Sequence, residues 1–196
     1  MTLSVSIRRV MAIAVTTLAL GFGAFTAVPA HADTLESDTS PAGLGYACGW
    51  NAETTAAFVP GGMVMGSGYN AIIDVGNLSM TPGAQLTCNW TNGLSTKLTL
   101  QGDGNFVFYN YTDGVTWGAR TTAAENKQGP GTKAVFQSDA NLLVRNAAGT
   151  AIWATNTHTY PNAFLAFQSD GNLVIYNHID TPTGPDYPVL WAAGTE

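Results

Sequence analysis

The chain has 196 residues, seven of them basic and thirteen acidic, for a formal net charge of −6, and only 10% of its residues are charged. The basic residues form no patch that would neutralise a phosphate backbone, which argues against nucleic acid as a partner. A weakly charged chain with 22 glycines and many Thr and Asn has the composition of an extracellular, turn-rich β protein.

Arg8 and Arg9 precede an apolar run over residues 10–28, and Ala30-His31-Ala32 forms a small-x-small triplet before Asp33. This pattern predicts a secretory signal peptide over residues 1–32 and a secreted, extracellular product. A membrane anchor is the alternative, but the flanks and the triplet are those of an export signal, so no membrane insertion is expected. The Arg8-Arg9 pair raises twin-arginine export, which the neighbouring residues match poorly. Removing the leader leaves 164 residues, enough for one domain with its own core. Five basic residues then remain, Lys97, Arg120, Lys127, Lys133 and Arg145, against thirteen acidic ones, a formal charge of −8. Cys48 and Cys88 are expected to form one disulfide in an oxidising compartment, two free thiols being the alternative.

Residues 33–73 read as an N-terminal extension, partly ordered. Residues 33–43 look like a flexible tail, while residues 46–70, with Trp50, Phe58 and Val59, read as an added strand pair tied down through the cysteines. A domain of repeats spans residues 74–196, where Leu78 and Met80 lead into a Thr81-Pro82-Gly83 turn.

Within that domain the phrase Gln-x-Asp-x-Asn-x-Val-x-Tyr occurs intact at residues 101–109 and 168–176, and with two changes at residues 137–145. Self-similarity at this period means one supersecondary unit used several times. Leu98 and Leu100, Ala134 and Phe136, and Leu165 and Phe167 alternate with their neighbours before each glutamine, as a strand with one buried face does. Asp-Gly or Asp-Ala then marks a tight hairpin. The following strand turns Phe106 and Phe108, Leu142 and Val144, or Leu173 and Ile175 one way, and Asn105, Val107 and Tyr109 with their equivalents the other. A third strand carries Trp117, Trp153 or Trp191. The first two lie 16 residues after their glutamines and the last 23 after, so the third copy holds a seven-residue insertion. Its prolines, Pro182, Pro185 and Pro188, suit an exposed loop. The tryptophans read as a shared central core, stacking on sugar rings being the alternative.

The recurring polar residues have no evident folding role, whereas the residues between them do. A carboxylate only accepts hydrogen bonds, an amide donates and accepts, and a phenol does both. One vicinal pair of hydroxyls satisfies such a set, and Val107 or Val174 adds an apolar contact for the C–H face of a pyranose ring. The bland alternative is that Asp and Asn merely form turns; it leaves the glutamine and the tyrosine unaccounted for.

With two intact copies and one altered copy, each followed by tryptophan, the chain resembles the monocot mannose-binding (bulb-type) lectin family over residues 74–196, in a secreted, bacterial-type form. The resemblance implies an all-β fold, the β-prism II, with three four-stranded sheets in pseudo-threefold symmetry. It also implies binding of mannose-containing glycans without metal or other cofactor. By the same resemblance, Asp103 and Asn105 hold the mannose 2-hydroxyl, Gln101 its neighbours, Tyr109 the 4-hydroxyl and Val107 the ring. Gln168, Asp170, Asn172, Val174 and Tyr176 do the same in the third copy. In the second copy Leu143 replaces valine and Arg145 replaces tyrosine, so Gln137, Asp139 and Asn141 are expected to form an impaired site. Residues 190–196 occupy the place of a strand that family members exchange, which leaves a homodimer open.

An enzyme is disfavoured: a glycosidase needs two carboxylates across one bond, each repeat offers one, and His158 and His178 lack a paired nucleophile. Calcium needs more oxygen ligands than these turns gather. A β-trefoil shares threefold repetition, but the spacing and the Asp-Gly-Asn turn favour the prism. An antibacterial lectin-like toxin (bacteriocin) on the same domain is the alternative function, and a structural surface protein would leave the motifs idle.

Overall fold

The computed structural model describes residues 34–39, 45–59, 63–65, 68–111 and 114–194; the expected leader and its cleavage triplet lie outside them. The described secondary structure is all strand. The extension and the lead-in form β1 (Thr34–Thr39), β2 (Gly45–Trp50), β3 (Thr54–Phe58), β4 (Met63–Met65), β5 (Gly68–Met80) and β6 (Ala84–Trp90). The first repeat forms β7 (Ser95–Leu100), β8 (Phe106–Asn110) and β9 (Val115–Gly118), and the second β10 (Lys133–Phe136), β11 (Leu142–Arg145) and β12 (Ala151–Ala154). The third forms β13 (Ala163–Gln168), β14 (Leu173–Asn177), β15 (Ile179–Thr181), β16 (Gly184–Asp186) and β17 (Val189–Ala192).

Each repeat is thus a hairpin followed by a third antiparallel strand, as the period-two pattern requires, and a fourth strand from upstream completes each sheet. In the first, β6 pairs with β7 along its length. The other two sheets share β5. Residues 78–80 pair with β10 and residues 70–74 pair with β13. Between them Gly76 takes φ 79°, a left-handed conformation that glycine adopts without Cβ strain, and the strand turns the corner from one sheet to the next. Residue 74, where the repeat pattern begins in the sequence, lies inside this strand.

The inward face of every sheet is apolar. Leu98, Leu100, Phe106, Phe108, Leu142, Phe167 and Ile175 are completely buried in one cluster. At its centre the three last strands bring their tryptophans together. The Trp117 ring lies 5.1 Å from both Trp153 and Trp191, and those two are 5.9 Å apart, all edge to face. Three four-stranded sheets closed around this aromatic triangle make a β-prism II, the fold that the family resemblance implied.

The extension is more ordered than its composition implies. Residues 34–39, read as a flexible tail, form β1 and pair with β2 over all six residues. They cover an edge whose N–H and C=O groups would otherwise stand open. β2 adds to β6 with Cys48 directly opposite Cys88, and the two are joined by a disulfide. β3 and β4 line the other edge of β5. The insertion in the third repeat is exposed, as its prolines suggest, but folds as the hairpin of β15 and β16.

Candidate functional site

The three motif turns share one backbone. In each, the glutamine N–H donates to the asparagine carbonyl, at 2.8 Å for Gln101–Asn105 and 2.9 Å for both Gln137–Asn141 and Gln168–Asn172. The residue before asparagine is left-handed: Gly104 at φ 87°, Ala140 at 77° and Gly171 at 98°. This is a three-residue hairpin loop ending in a left-handed position, which is why glycine follows aspartate in two copies. At Gly104 a Cβ would also meet the Gly131 backbone at 2.7 Å.

The aspartate and asparagine do have a folding role, contrary to the reading from sequence. Asp103, Asp139 and Asp170 each accept, through Oδ1, the N–H of the asparagine two residues on, at 3.0 Å. Each asparagine Oδ1 then takes N–H groups from the chain just past the tryptophan: Thr121 at 3.2 Å for Asn105, Asn156 at 3.0 Å for Asn141, and Gly194 at 3.1 Å for Asn172. Half of each polar group is thereby fixed by the backbone. The second carboxylate oxygen of each aspartate accepts no bond from the described residues, and all three aspartates are exposed. Bracing of this kind holds the remaining half in one orientation.

The glutamine and the tyrosine meet directly. Gln101 Nε2 donates to the Tyr109 hydroxyl at 2.8 Å, and Gln168 Nε2 to Tyr176 at 3.1 Å. Val107 and Val174 lie beside them on the outward face and are buried, while the glutamines and tyrosines are half-buried. Glutamine, valine and tyrosine of each intact copy thus share one outward face beside the aspartate turn, with Asn105 half-buried and Asn172 buried next to them: two polar surfaces with an apolar floor. In the second copy Leu143 is buried in the valine's place, and Arg145 turns to donate to the Gly149 carbonyl at 2.8 Å. The glutamine–tyrosine pair has no counterpart there.

The surroundings differ between the two intact copies. Tyr109 stacks on the exposed Tyr111 at 5.7 Å, with Lys97 Nζ 4.9 Å from the Tyr109 ring centre. Tyr176 stacks on Phe164 at 5.7 Å, and Tyr187 from the insertion abuts Phe164 at 5.9 Å. Phe164, Ala166 and Ile72 form a second small apolar cluster on that outer face, with Val59 and Met63 from the extension against it. Residues of the extension therefore pack beside the third surface.

The sequence reading missed the threonines that clamp these loops. Thr121 Oγ1 donates to the Gly104 carbonyl at 2.7 Å and accepts the Phe106 N–H at 3.0 Å. In the second copy Thr157 Oγ1 donates to the Ala140 carbonyl at 2.6 Å, while Thr155 Oγ1 accepts the Leu142 N–H at 3.1 Å. The residues before those threonines, Arg120 and Asn156, are left-handed at φ 55° and 59°, as is Gly194 at 66° in the third copy. The signal was present: threonine stands four residues after each tryptophan, at 121, 157 and 195.

A mannose-specific lectin from Aloe arborescens is 34% identical to this chain over 101 residues, which is 50% of this chain and 79% of that protein. A monomeric monocot mannose-binding lectin from Gastrodia elata superposes with a TM-score of 0.43 at 24% identity, over 64% of this chain and 97% of its own. The mannose-specific agglutinin of snowdrop (Galanthus nivalis), complexed with methyl-α-D-mannoside, superposes with a TM-score of 0.36 at 26% identity, over 60% of this chain and 96% of its own. No protein-family model matches the sequence.

Proposed function

Because this chain belongs to the family of monocot mannose-binding, bulb-type lectins, we propose that it is a secreted, non-catalytic lectin that binds mannose-containing glycans at its first and third repeats. The observation that carries this reading is the pair of intact surfaces in which Gln101 meets Tyr109 and Gln168 meets Tyr176. In each, the polar groups are pre-oriented by the backbone and so lose little freedom on binding. Asp103 with Asn105, and Asp170 with Asn172, take the 2-hydroxyl. Gln101 and Gln168 take its neighbours, Tyr109 and Tyr176 the 4-hydroxyl, and Val107 and Val174 the ring face.

Each neutral hydrogen bond nets about 0.5–1.5 kcal/mol and each bond to the carboxylate about 1.5–3 kcal/mol. After the cost of association a single surface binds in about the millimolar range. Two surfaces on one scaffold raise avidity for branched or clustered glycans.

The Cys48–Cys88 disulfide suits an oxidising compartment, and the expected leader would deliver the chain to one. The antibacterial alternative gains no support from the fold or the relatives. Homodimerisation would use the exposed edge near β17; light scattering on the intact protein, and on one lacking residues 190–196, tests it.

The decisive experiment is the double variant Asp103→Ala with Asp170→Ala. It is expected to lose binding to immobilised mannan while its circular dichroism stays that of the folded parent and its Tm falls modestly, because each change also removes the acceptor of an asparagine N–H in the turn. Undiminished mannan binding by that folded variant would move the site elsewhere.

A further inference from the structure

The altered second repeat is a site of a different kind. We infer that it binds an acidic saccharide, a hexuronate being the simplest, through Arg145 and Lys133. This goes beyond the mannoside reading of the other two repeats and stands independently of it.

The position four residues before each motif glutamine lies opposite the motif's last residue across the hairpin. In the first repeat this pair is Lys97 with Tyr109, in the third Phe164 with Tyr176, and in the second Lys133 with Arg145. The first two pairs are attractive: an ammonium 4.9 Å from a tyrosine ring centre and two stacked rings. The third sets two cationic residues at opposite register positions, and like charges directly opposite on neighbouring strands are destabilising. Among the described residues no carboxylate forms an ion pair with either. Only five basic residues follow the expected leader, and two of them stand here, so general basicity does not account for the pairing. An anion placed between them would turn the repulsion into two attractions.

There is space for one. An open cavity of about 390 Å³ lies at this spot, lined by Ser79, Lys133, Val135, Gln137, Ser138 and Arg145 among others. That volume falls within the range of small-ligand sites. Asp139, the carboxylate an anion would avoid, is not among the lining residues.

The lining supplies what an acidic pyranose needs. The Gly149 carbonyl fixes one Arg145 nitrogen at 2.8 Å, and the guanidinium keeps N–H donors for a carboxylate, which it matches in a planar, two-pronged geometry. Lys133 adds a point charge. The Gln137 amide and the serine hydroxyls suit ring hydroxyls, and Val135 offers an apolar contact. The same Arg145 that removes a phenol from a mannose site here becomes the recognition group.

The test is an NMR titration of the isotope-labelled protein with its disulfide intact. The probes are the methyl glycosides of glucuronic, galacturonic and mannuronic acids, each run against its neutral parent hexoside, with sodium sulfate as the anion control. At least one acid is expected to shift the Gln137 side-chain amide and the Arg145 guanidinium signals at about tenfold lower concentration than its neutral parent. That factor is the difference between a charge-assisted and a neutral hydrogen bond. The double variant Lys133→Gln with Arg145→Gln is expected to lose the preference. Its mannoside-induced shifts at Gln101 and Gln168 should remain, so failure here and failure of the mannoside reading are told apart in one set of spectra. Equal response to acid and neutral sugars, or no response to any acid, would overturn the inference. Sulfate acting as strongly as the best uronide would overturn its saccharide component.

Discussion

Thr121 is completely buried, and its hydroxyl bridges two points of the first motif loop that no other side chain joins. It donates to the Gly104 carbonyl at 2.7 Å and accepts the Phe106 N–H at 3.0 Å. Thr121→Val preserves the branched shape but removes both bonds, leaving a buried N–H and a buried C=O without that partner. Each such loss costs about 1–3 kcal/mol. An under-satisfied carbonyl is tolerated better than an orphaned N–H, so the variant should lose about 2–4 kcal/mol. In a domain of this size each kcal/mol lowers Tm by about 2–4 °C, which gives a drop of about 4–16 °C.

The second repeat supplies an internal control. There the Leu142 N–H is taken by Thr155 and not by Thr157, so Thr157→Val removes the bonds to the Ala140 carbonyl and to the Thr155 hydroxyl but orphans no strand N–H. It should therefore cost less. Thermal melts of the oxidised parent and both variants, followed by tryptophan fluorescence, decide the matter. A Thr121→Val melt within 1 °C of the parent, or a larger loss for Thr157→Val, would refute the clamp. If the loop carries a sugar site, Thr121→Val should also weaken mannoside response at Gln101 several-fold and leave Gln168 unchanged.

Reducing the Cys48–Cys88 bridge frees a loop with a sequence separation of 40 and should cost about 3–5 kcal/mol on the loop-entropy account; an unchanged melt after complete reduction would show the pairing of β2 with β6 to be sufficient alone. Tyr109→Phe removes the partner of Gln101 and should weaken mannoside binding at the first repeat by about 3- to 10-fold, with no change at the third; equal loss at both would mean that the two surfaces are coupled. Leu143→Val with Arg145→Tyr rebuilds the motif and should give the second repeat a mannoside response at Gln137 while removing any response to uronides; a silent Gln137 would place the defect in the surroundings and not in those two residues.

The hairpins, the third strands and the tryptophan core were legible because each is written in a local period or in a repeat of that period. Leu98, Leu100, Phe106 and Phe108 announce their face by alternation and are completely buried. What joins one repeat to the next was not legible. β5 serves two sheets through a bend at Gly76, and nothing in thirteen consecutive residues says that their two halves pair with strands some 60 and 90 positions away. Phe164 and Ala166 look misplaced beside Leu165 and Phe167, until Val59, Met63 and Tyr187 are seen to cover the outer face as well. At the candidate site the motif residues were found from repetition alone. Their second employment, bracing the backbone through one oxygen each, depends on donors such as Thr121 and Gly194 that arrive 16 and 22 residues later.

The same geometry explains how three copies of one unit can come to differ. Trp117, Trp153 and Trp191 touch one another, so a change in one is felt by all three sheets, and close-packed interiors tolerate such changes poorly. Among the described residues the outward faces share no ring contact of this kind. Lys97 on Tyr109, Lys133 opposite Arg145 and Phe164 on Tyr176 occupy one position of one hairpin, yet they present a cation on a ring, two cations, and two rings. Substitutions at sites that share no partners add independently, so each face is open to its own chemistry while the core remains common. Surfaces borne on three sides of a prism also point in different directions. On the proposed function, avidity would then come from branched or clustered glycans, and a face with a different preference would require the right neighbour on the same target. Binding to a mixed surface of mannosides and uronides should accordingly exceed that to either alone, whereas a protein with three equivalent faces would respond only to the total mannoside density.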